Sequence, residues 1–220
     1  MKAILFDWDG TLADSLGALY AANVAVMSSF GLPFDETLYR RHFSPDWRLM
    51  YERLGIPPER IDEANARWLE AYAGGPQTAL LPGASDALAR LAAAGYRLGL
   101  VTAGHREIVE PQLHRFDVRR HLEVTVFGTD LEEQKPHPRP LRHALDLFAS
   151  AAAGPLAPGD AAYVGDTAED MVMAVAAGVP AVGVPSRVGT QEDLVAAGAG
   201  RVVESVAAWV DGLLDGGAIR

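Results

Sequence analysis

The stretch Lys2-Ala-Ile-Leu-Phe-Asp7-Trp-Asp9-Gly10-Thr11 constrains this chain more than any other. Ala3 to Phe6 is a short, unbroken apolar run, the pattern of a strand buried on both faces. It ends in two carboxylates two residues apart, and Asp9-Gly10 breaks it. Acids at the carboxyl end of a buried parallel strand sit on the rim where open α/β sheets bind ligands. Two carboxylates held that close raise each other's pKa unless a cation neutralises them. The stretch therefore calls for a metal or a cationic group, unless Asp9-Gly10 is a plain hairpin turn.

The remaining chain discriminates between these. Residues 14–81 read as helices only. Asp14-Ser15 offers an N-cap ahead of Leu16, Leu19, Tyr20 and Met27 at helical spacing. Further helical stretches cover roughly 35–42, 46–54 and 59–72, and Gly74-Gly75-Pro76 closes the block. Strand and helix then alternate. Strands are predicted at 97–101, 123–127, 161–165, 181–184 and 201–203. Helices fall between them and over 206–214. Alternation with apolar strands implies a parallel sheet covered by helices, an α/β Rossmann-like core. The expected organisation is a core of residues 1–13 and 82–220 carrying an all-helical insert, 14–81.

Composition narrows the function. The chain has 220 residues, is 49% hydrophobic and carries a net charge of −10, which disfavours nucleic acid as a partner. It has no cysteine, so disulfides, thiolate nucleophiles and Cys-based zinc sites are excluded. No secretory leader pattern precedes Asp7, and the longest uncharged apolar stretch, 171–185, is too short and too broken to span a bilayer. A cytoplasmic protein without a membrane partner is expected. Monomer and homodimer both stay open.

Four predicted strands end in polar groups: Asp7 and Asp9, Thr102, the loop holding Lys135, and Asp166 with Asp170. Each has an ordinary reading by itself. Thr102 can be a helix-terminal hydroxyl, Lys135 a loop lysine, and Asp166-Thr167 a cap followed by dipole-favouring acids. In a parallel sheet, however, all four strand ends share one edge.

These stations resemble the four motifs of the haloacid dehalogenase (HAD) superfamily: Asp7-x-Asp9-Gly10-Thr11, the strand ending at Thr102, Lys135-Pro136, and Gly165-Asp166-x3-Asp170. The insert resembles that superfamily's C1-type helical cap, and the nearest branch looks like the phosphoglycolate phosphatase and β-phosphoglucomutase group. The resemblance implies a Mg2+-dependent phosphatase acting on a small phosphorylated metabolite, phosphoglycolate first among candidates. Asp7 would be the nucleophile and Asp9 the general acid and base. Asp7, Asp9 (through its carbonyl), Asp166 and Asp170 (close by or through water) would serve the metal. Lys135 would supply positive charge. Thr102, with the N–H groups of Ala103 and Gly104, would hold a phosphoryl oxygen. The cap residues Arg41 and His42 are candidates for reading the leaving group.

Two alternatives accompany that reading: a sugar phosphomutase and a non-catalytic phosphate-binding module. The mutases carry a histidine where this chain has Leu19. Phosphonate-cleaving members use a cap lysine, and residues 14–81 contain none. Trp8 also departs from the family pattern, where leucine is commoner.

Overall fold

The computed structural model describes residues 1–75, 77–150 and 154–216; Pro76, expected to close the helical block, lies outside them. The chain divides into two compact units, Met1–Ala13 with Leu80–Arg220, and Asp14–Ala79.

The first unit is built on six parallel strands: β1 (Ala3–Phe6), β4 (Arg97–Val101), β5 (Val124–Val126), β6 (Ala161–Gly165), β7 (Ala181–Gly183) and β8 (Arg201–Val202). Their spatial order is β5-β4-β1-β6-β7-β8. β1 lies centrally, with Phe6 opposite Leu100 on one side and Val164 on the other. This is the expected doubly covered parallel sheet. The side chains of β1 alternate between two cores, as period-two geometry requires. Ile4, Phe6 and Trp8 pack with α5 (Ala84–Ala93), α6 (Arg106–Arg115) and α10 (Val206–Leu214). Ala3 and Leu5 pack with α7 (Arg139–Ser150), α8 (Ala168–Ala177) and α9 (Gln191–Ala196). Burial of each large apolar side chain, such as Phe6 or Leu88, contributes about 2 kcal/mol.

The second unit holds α1 (Leu16–Ser29), α2 (Glu36–His42), α3 (Trp47–Arg53) and α4 (Ile61–Ala73). Asp35 and Asp46 cap α2 and α3 by accepting backbone N–H bonds. α1 packs on α4. A buried bond from the Tyr51 hydroxyl to Asn23 Oδ1, 2.9 Å, ties α3 to α1.

The all-helical reading of 14–81 needs one correction. Two-residue strands, β2 (Ala13–Asp14) and β3 (Ala79–Leu80), pair where the chain leaves and re-enters the first unit. Neither is long enough to show a period-two pattern. One-turn 3-10 helices at Arg119–His121 and Pro158–Asp160 also lie outside the predicted elements, and another, Pro58–Arg60, opens the helix expected from 59. Among the described residues, no helix is long and apolar enough to cross a membrane.

Candidate active site

The four predicted stations meet at the carboxyl ends of β4, β1 and β6, with the loop after β5 closing over them. β1 delivers Asp7 directly, because its last pleat before the turn points toward the Leu5 side of the sheet. The turn is compact: the Trp8 carbonyl accepts from the N–H groups of Thr11, Leu12 and Ala13 at 2.9–3.3 Å. Gly10, at φ 77°, supplies the left-handed conformation the reversal needs.

Lys135 reaches in from the β5–α7 loop, its peptide bond to Pro136 being cis. Its ammonium is buried and lies 2.6 Å from Asp7 Oδ1 and 2.8 Å from Asp170 Oδ1. One oxygen each from Asp7, Asp166 and Asp170 falls within 4.8 Å of the others. The expected convergence of Asp7 and Asp166 on one rim is therefore present.

Asp170 is the most heavily bonded member. Its Oδ1 accepts from Lys135 and from the Tyr163 hydroxyl at 3.0 Å. Its Oδ2 accepts from the N–H groups of Asp166 and Thr167 and from the Thr167 hydroxyl. Thr167 and Asp170 form the capping box that starts α8. The capping reading of Asp170 holds, and the same carboxylate that starts the helix also holds Lys135. Gly165 is required beside it, since a Cβ there would lie 2.5 Å from Asp170 Cγ.

Asp166 presents the opposite picture. It is 1% exposed, and neither carboxylate oxygen makes a hydrogen bond of ordinary geometry. Such a group is costly to bury unless something satisfies it. Burial, followed by the charges of Asp7 and Asp170, raises its pKa well above the ordinary value, against the smaller pull of Ser186 and Lys135. Burial likewise pushes the Asp7 carboxyl up to about 7, with Asp170 and Asp9 adding repulsion and Lys135 opposing it. Burial also works to discharge Lys135, but Asp170 and Asp7 outweigh it and hold the ammonium charged. One ammonium against three carboxylates leaves the cluster short of positive charge. Hard oxygen donors, one of them orphaned, in an acid-rich pocket are the donor set of a divalent cation. Asp7 and Asp166 are the residues with oxygens to give it; those of Asp170 are already engaged.

The deficit has a measurable consequence. Asp7 titrates near 3.8 in an unfolded chain and near 7 in the folded, metal-free protein. Between these values the folded state holds the extra proton, so stability falls as pH rises through the window and levels off above it. Denaturant midpoints in chelator should drop from pH 5 to pH 7.5, and a divalent cation should flatten the profile. A pH-independent midpoint in chelator would contradict the charge deficit.

Thr102 is buried, and its Oγ1 accepts from the Gly104 N–H at 2.9 Å, which leaves the hydroxyl proton to donate elsewhere. The Gly104 N–H, expected to hold a phosphoryl oxygen, donates inside the turn here. The Gly104 carbonyl accepts from Gly128. A Cβ at 104 would lie 3.2 Å from Thr102 Oγ1 and 3.4 Å from Asp9 Oδ2, so Asp9 and Thr102 flank the same bare backbone. Ala103 carries the neighbouring N–H. A Cβ at Gly128 would sit 2.1 Å from the Ala103 carbonyl, which shows how closely the β5 loop presses on this turn. Arg41 and His42 fall in the last turn of α2, in the second unit.

Sequence reasoning missed Tyr163, which reads as one more apolar strand residue. Its single hydroxyl proton is shared between the Val101 carbonyl at 2.9 Å and Asp170 Oδ1 at 3.0 Å. It missed Ser186 as well, whose loop after β7 carries no motif. Arg106, next in chain to the Thr102 turn, opens α6 and is clamped by Asp130 at 2.7 and 3.1 Å.

A parallel sheet with a buried carboxylate, a second acid two residues on, a buried lysine and an orphaned aspartate at one rim is the setting of a hydrolase. The comparisons give that class its family: the haloacid dehalogenase-like hydrolase model matches residues 4–184, and the chain belongs to that family. A phosphoglycolate phosphatase of Nitrosococcus oceani is 33% identical over 186 residues, covering 80% of each chain. Among solved structures, a hydrolase from Pseudomonas syringae superposes with a TM-score of 0.84 at 23% identity, over 98% of this chain and 99% of that one. CbbY from Rhodobacter sphaeroides, solved in complex with phosphate, gives 0.76 at 27% identity over 94% and 95%.

Proposed function

We propose that this protein is a Mg2+-dependent phosphatase that hydrolyses a small phosphorylated metabolite through a phosphoaspartate, with phosphoglycolate the first candidate substrate. The single observation that carries this is the buried triad of Asp7, Asp166 and Lys135, in which a carboxylate is poised between an ammonium and an unsatisfied acid. Membership of a hydrolase family and the phosphoglycolate phosphatase relative support the reaction class. Asp7 and Asp166 would hold the cation. When bound, it would neutralise the acids and screen the substrate's phosphate charge.

In the first step an Asp7 oxygen attacks phosphorus in line. A phosphorus–oxygen bond forms to Asp7 as the ester bond to the leaving group breaks. Asp9, protonated, gives its proton to the departing alkoxide. In the second step Asp9, now a carboxylate, takes a proton from water as the water attacks phosphorus. The bond to Asp7 breaks, releasing inorganic phosphate and restoring both aspartates. Lys135 favours the ionised form of Asp7 for the attack and again when the phosphoaspartate is cleaved, and it orients the side chain. The Thr102 hydroxyl and Ala103 N–H face the phosphoryl oxygens. The helical unit 14–79 acts as cap, with Arg41 and His42 its candidate contacts to the leaving group.

A panel of phosphorylated metabolites assayed with Mg2+ tests the proposal. Phosphoglycolate should rank among the highest kcat/KM values. Chelator should abolish turnover and added Mg2+ restore it. Undiminished turnover in chelator, or no hydrolysis of p-nitrophenyl phosphate with Mg2+, would overturn it. Conversion of glucose 1-phosphate to glucose 6-phosphate would replace it with the mutase reading.

A further inference from the structure

Trp8 stands between the two acids of the first motif, and the proposed reaction gives it no part. Its side chain follows Ile4 and Phe6 into the core on the α6 side of the sheet, where it is fully buried. There the indole Nε1–H donates to Gln112 Oε1 at 2.8 Å, a buried bond across 104 residues of sequence. Gln112 lies within α6 and is itself buried. A buried glutamine and a buried indole are each costly without a partner, so the pair holds tightly. One turn earlier on the same helix, Val109 lies under Gly104: a Cβ at 104 would meet its Cγ2 at 2.6 Å. Helix α6 thus supports both the turn carrying Asp9 and the turn carrying Thr102, whose polar atoms flank Gly104. Trp8 is also the residue whose carbonyl gathers the three N–H groups that shape the Asp9 turn.

We propose that Gln112 is a positioning residue which, through the Trp8 indole, fixes Asp9 relative to Asp7 and Thr102. The proposal rests on the assignment of Asp9 as proton carrier. Asp9 is mid-turn, and its backbone is set by the residue before it. An indole free to swing would let that turn shift, and displacements of about 1 Å at a reacting group cost roughly 100-fold in rate. Asp7, held from the other side by Lys135, is less dependent on this anchor.

The test compares Gln112→Leu, Trp8→Phe and the double variant. Gln112→Leu strands the indole N–H, so it should lower Tm. The double variant removes both polar partners and should recover part of that loss. A purely structural role predicts that kcat recovers with Tm. The positioning role predicts that kcat toward p-nitrophenyl phosphate with Mg2+ stays down about 10- to 100-fold in all three, with KM within about threefold of the parent. Hydrogen exchange supplies a readout that needs no turnover: the amides of Thr11, Leu12 and Ala13 should exchange at least about tenfold faster in Gln112→Leu, while β1 and β6 keep their protection. Unchanged exchange at these amides, or a double variant with parental kcat, would overturn the proposal. A parent protein with no phosphatase activity would instead overturn the assignment of Asp9, and the exchange data would still decide whether Gln112 anchors the turn.

Discussion

Asp7→Asn is expected to lower kcat by about 10^4-fold or more, the scale seen when a nucleophile is removed, while leaving the fold intact. The amide keeps an oxygen that can accept from the Lys135 ammonium, now 2.6 Å from Asp7 Oδ1. It loses the nucleophilic carboxylate. Stability should move the other way. The Asp7 carboxyl is raised to about 7 chiefly by burial, so its ionised form is a burden on the metal-free protein above that pH. The variant should therefore melt no lower than the parent in chelator at pH 8, and should gain less from added Mg2+. Calorimetry in chelator and in Mg2+, together with kcat, checks both halves. Full activity in Asp7→Asn would refute the covalent route. A collapse in stability would refute the charge deficit.

Lys135→Met should have the second largest effect, and for the opposite reason. The ammonium is the counter-charge to Asp7 and Asp170, and its side chain is 3% exposed. Methionine fills similar volume but leaves three buried acids with no cation. Breaking a buried pair from one side costs about 3–5 kcal/mol, and this loss should be largest at high pH. Without the ammonium the folded-state pKa values of Asp7 and Asp166 rise further, so protonation below about pH 6 relieves part of the cost. Denaturant unfolding at pH 5.5 and 8 should show the gap between variant and parent widening with pH. Activity should fall by roughly 10^3-fold, on the scale of removing a preorganised charge that acts in the transition state. Equal destabilisation at both pH values would mean that Lys135 contributes packing alone.

The parts of this site that were legible beforehand share a property. Each is a polar residue interrupting an apolar run: Asp7 after Phe6, Thr102 after Val101, Asp166 after Gly165. A buried parallel strand tolerates such a residue only at its end, so type and position together betray the rim. The parallel sheet itself was readable because its strands are apolar on both faces and alternate with amphipathic helices. What escaped notice has the reverse character. Tyr163 lies within an apolar strand and looks like core, which by burial it is; only the structure reveals the hydroxyl bridging Val101 and Asp170. Gln112 sits among Glu110, His114 and Arg115 and reads as part of a solvated helix face, yet it turns inward to meet Trp8. The capping box of α8 was visible as a pattern, but the doubling of Asp170 as the seat of Lys135 depends on a loop from a different strand. β2 and β3 are too short to carry a periodicity at all.

The place of β1 in the sheet has a consequence for how the molecule assembles. Its two neighbours, β4 and β6, are opposite Ala3 at Arg97 and Ala161. This strand must therefore wait for β4, at 97–101, before one edge is paired, and for β6, at 161–165, before the other. During synthesis that apolar segment is a sticky, unpaired ribbon, the kind of element that chaperones shelter and that aggregates when they do not. The intervening helical unit closes within residues 14–79, α1 on α4, and can mature meanwhile, whereas the longer-range closure around β1 sets the pace of the final collapse.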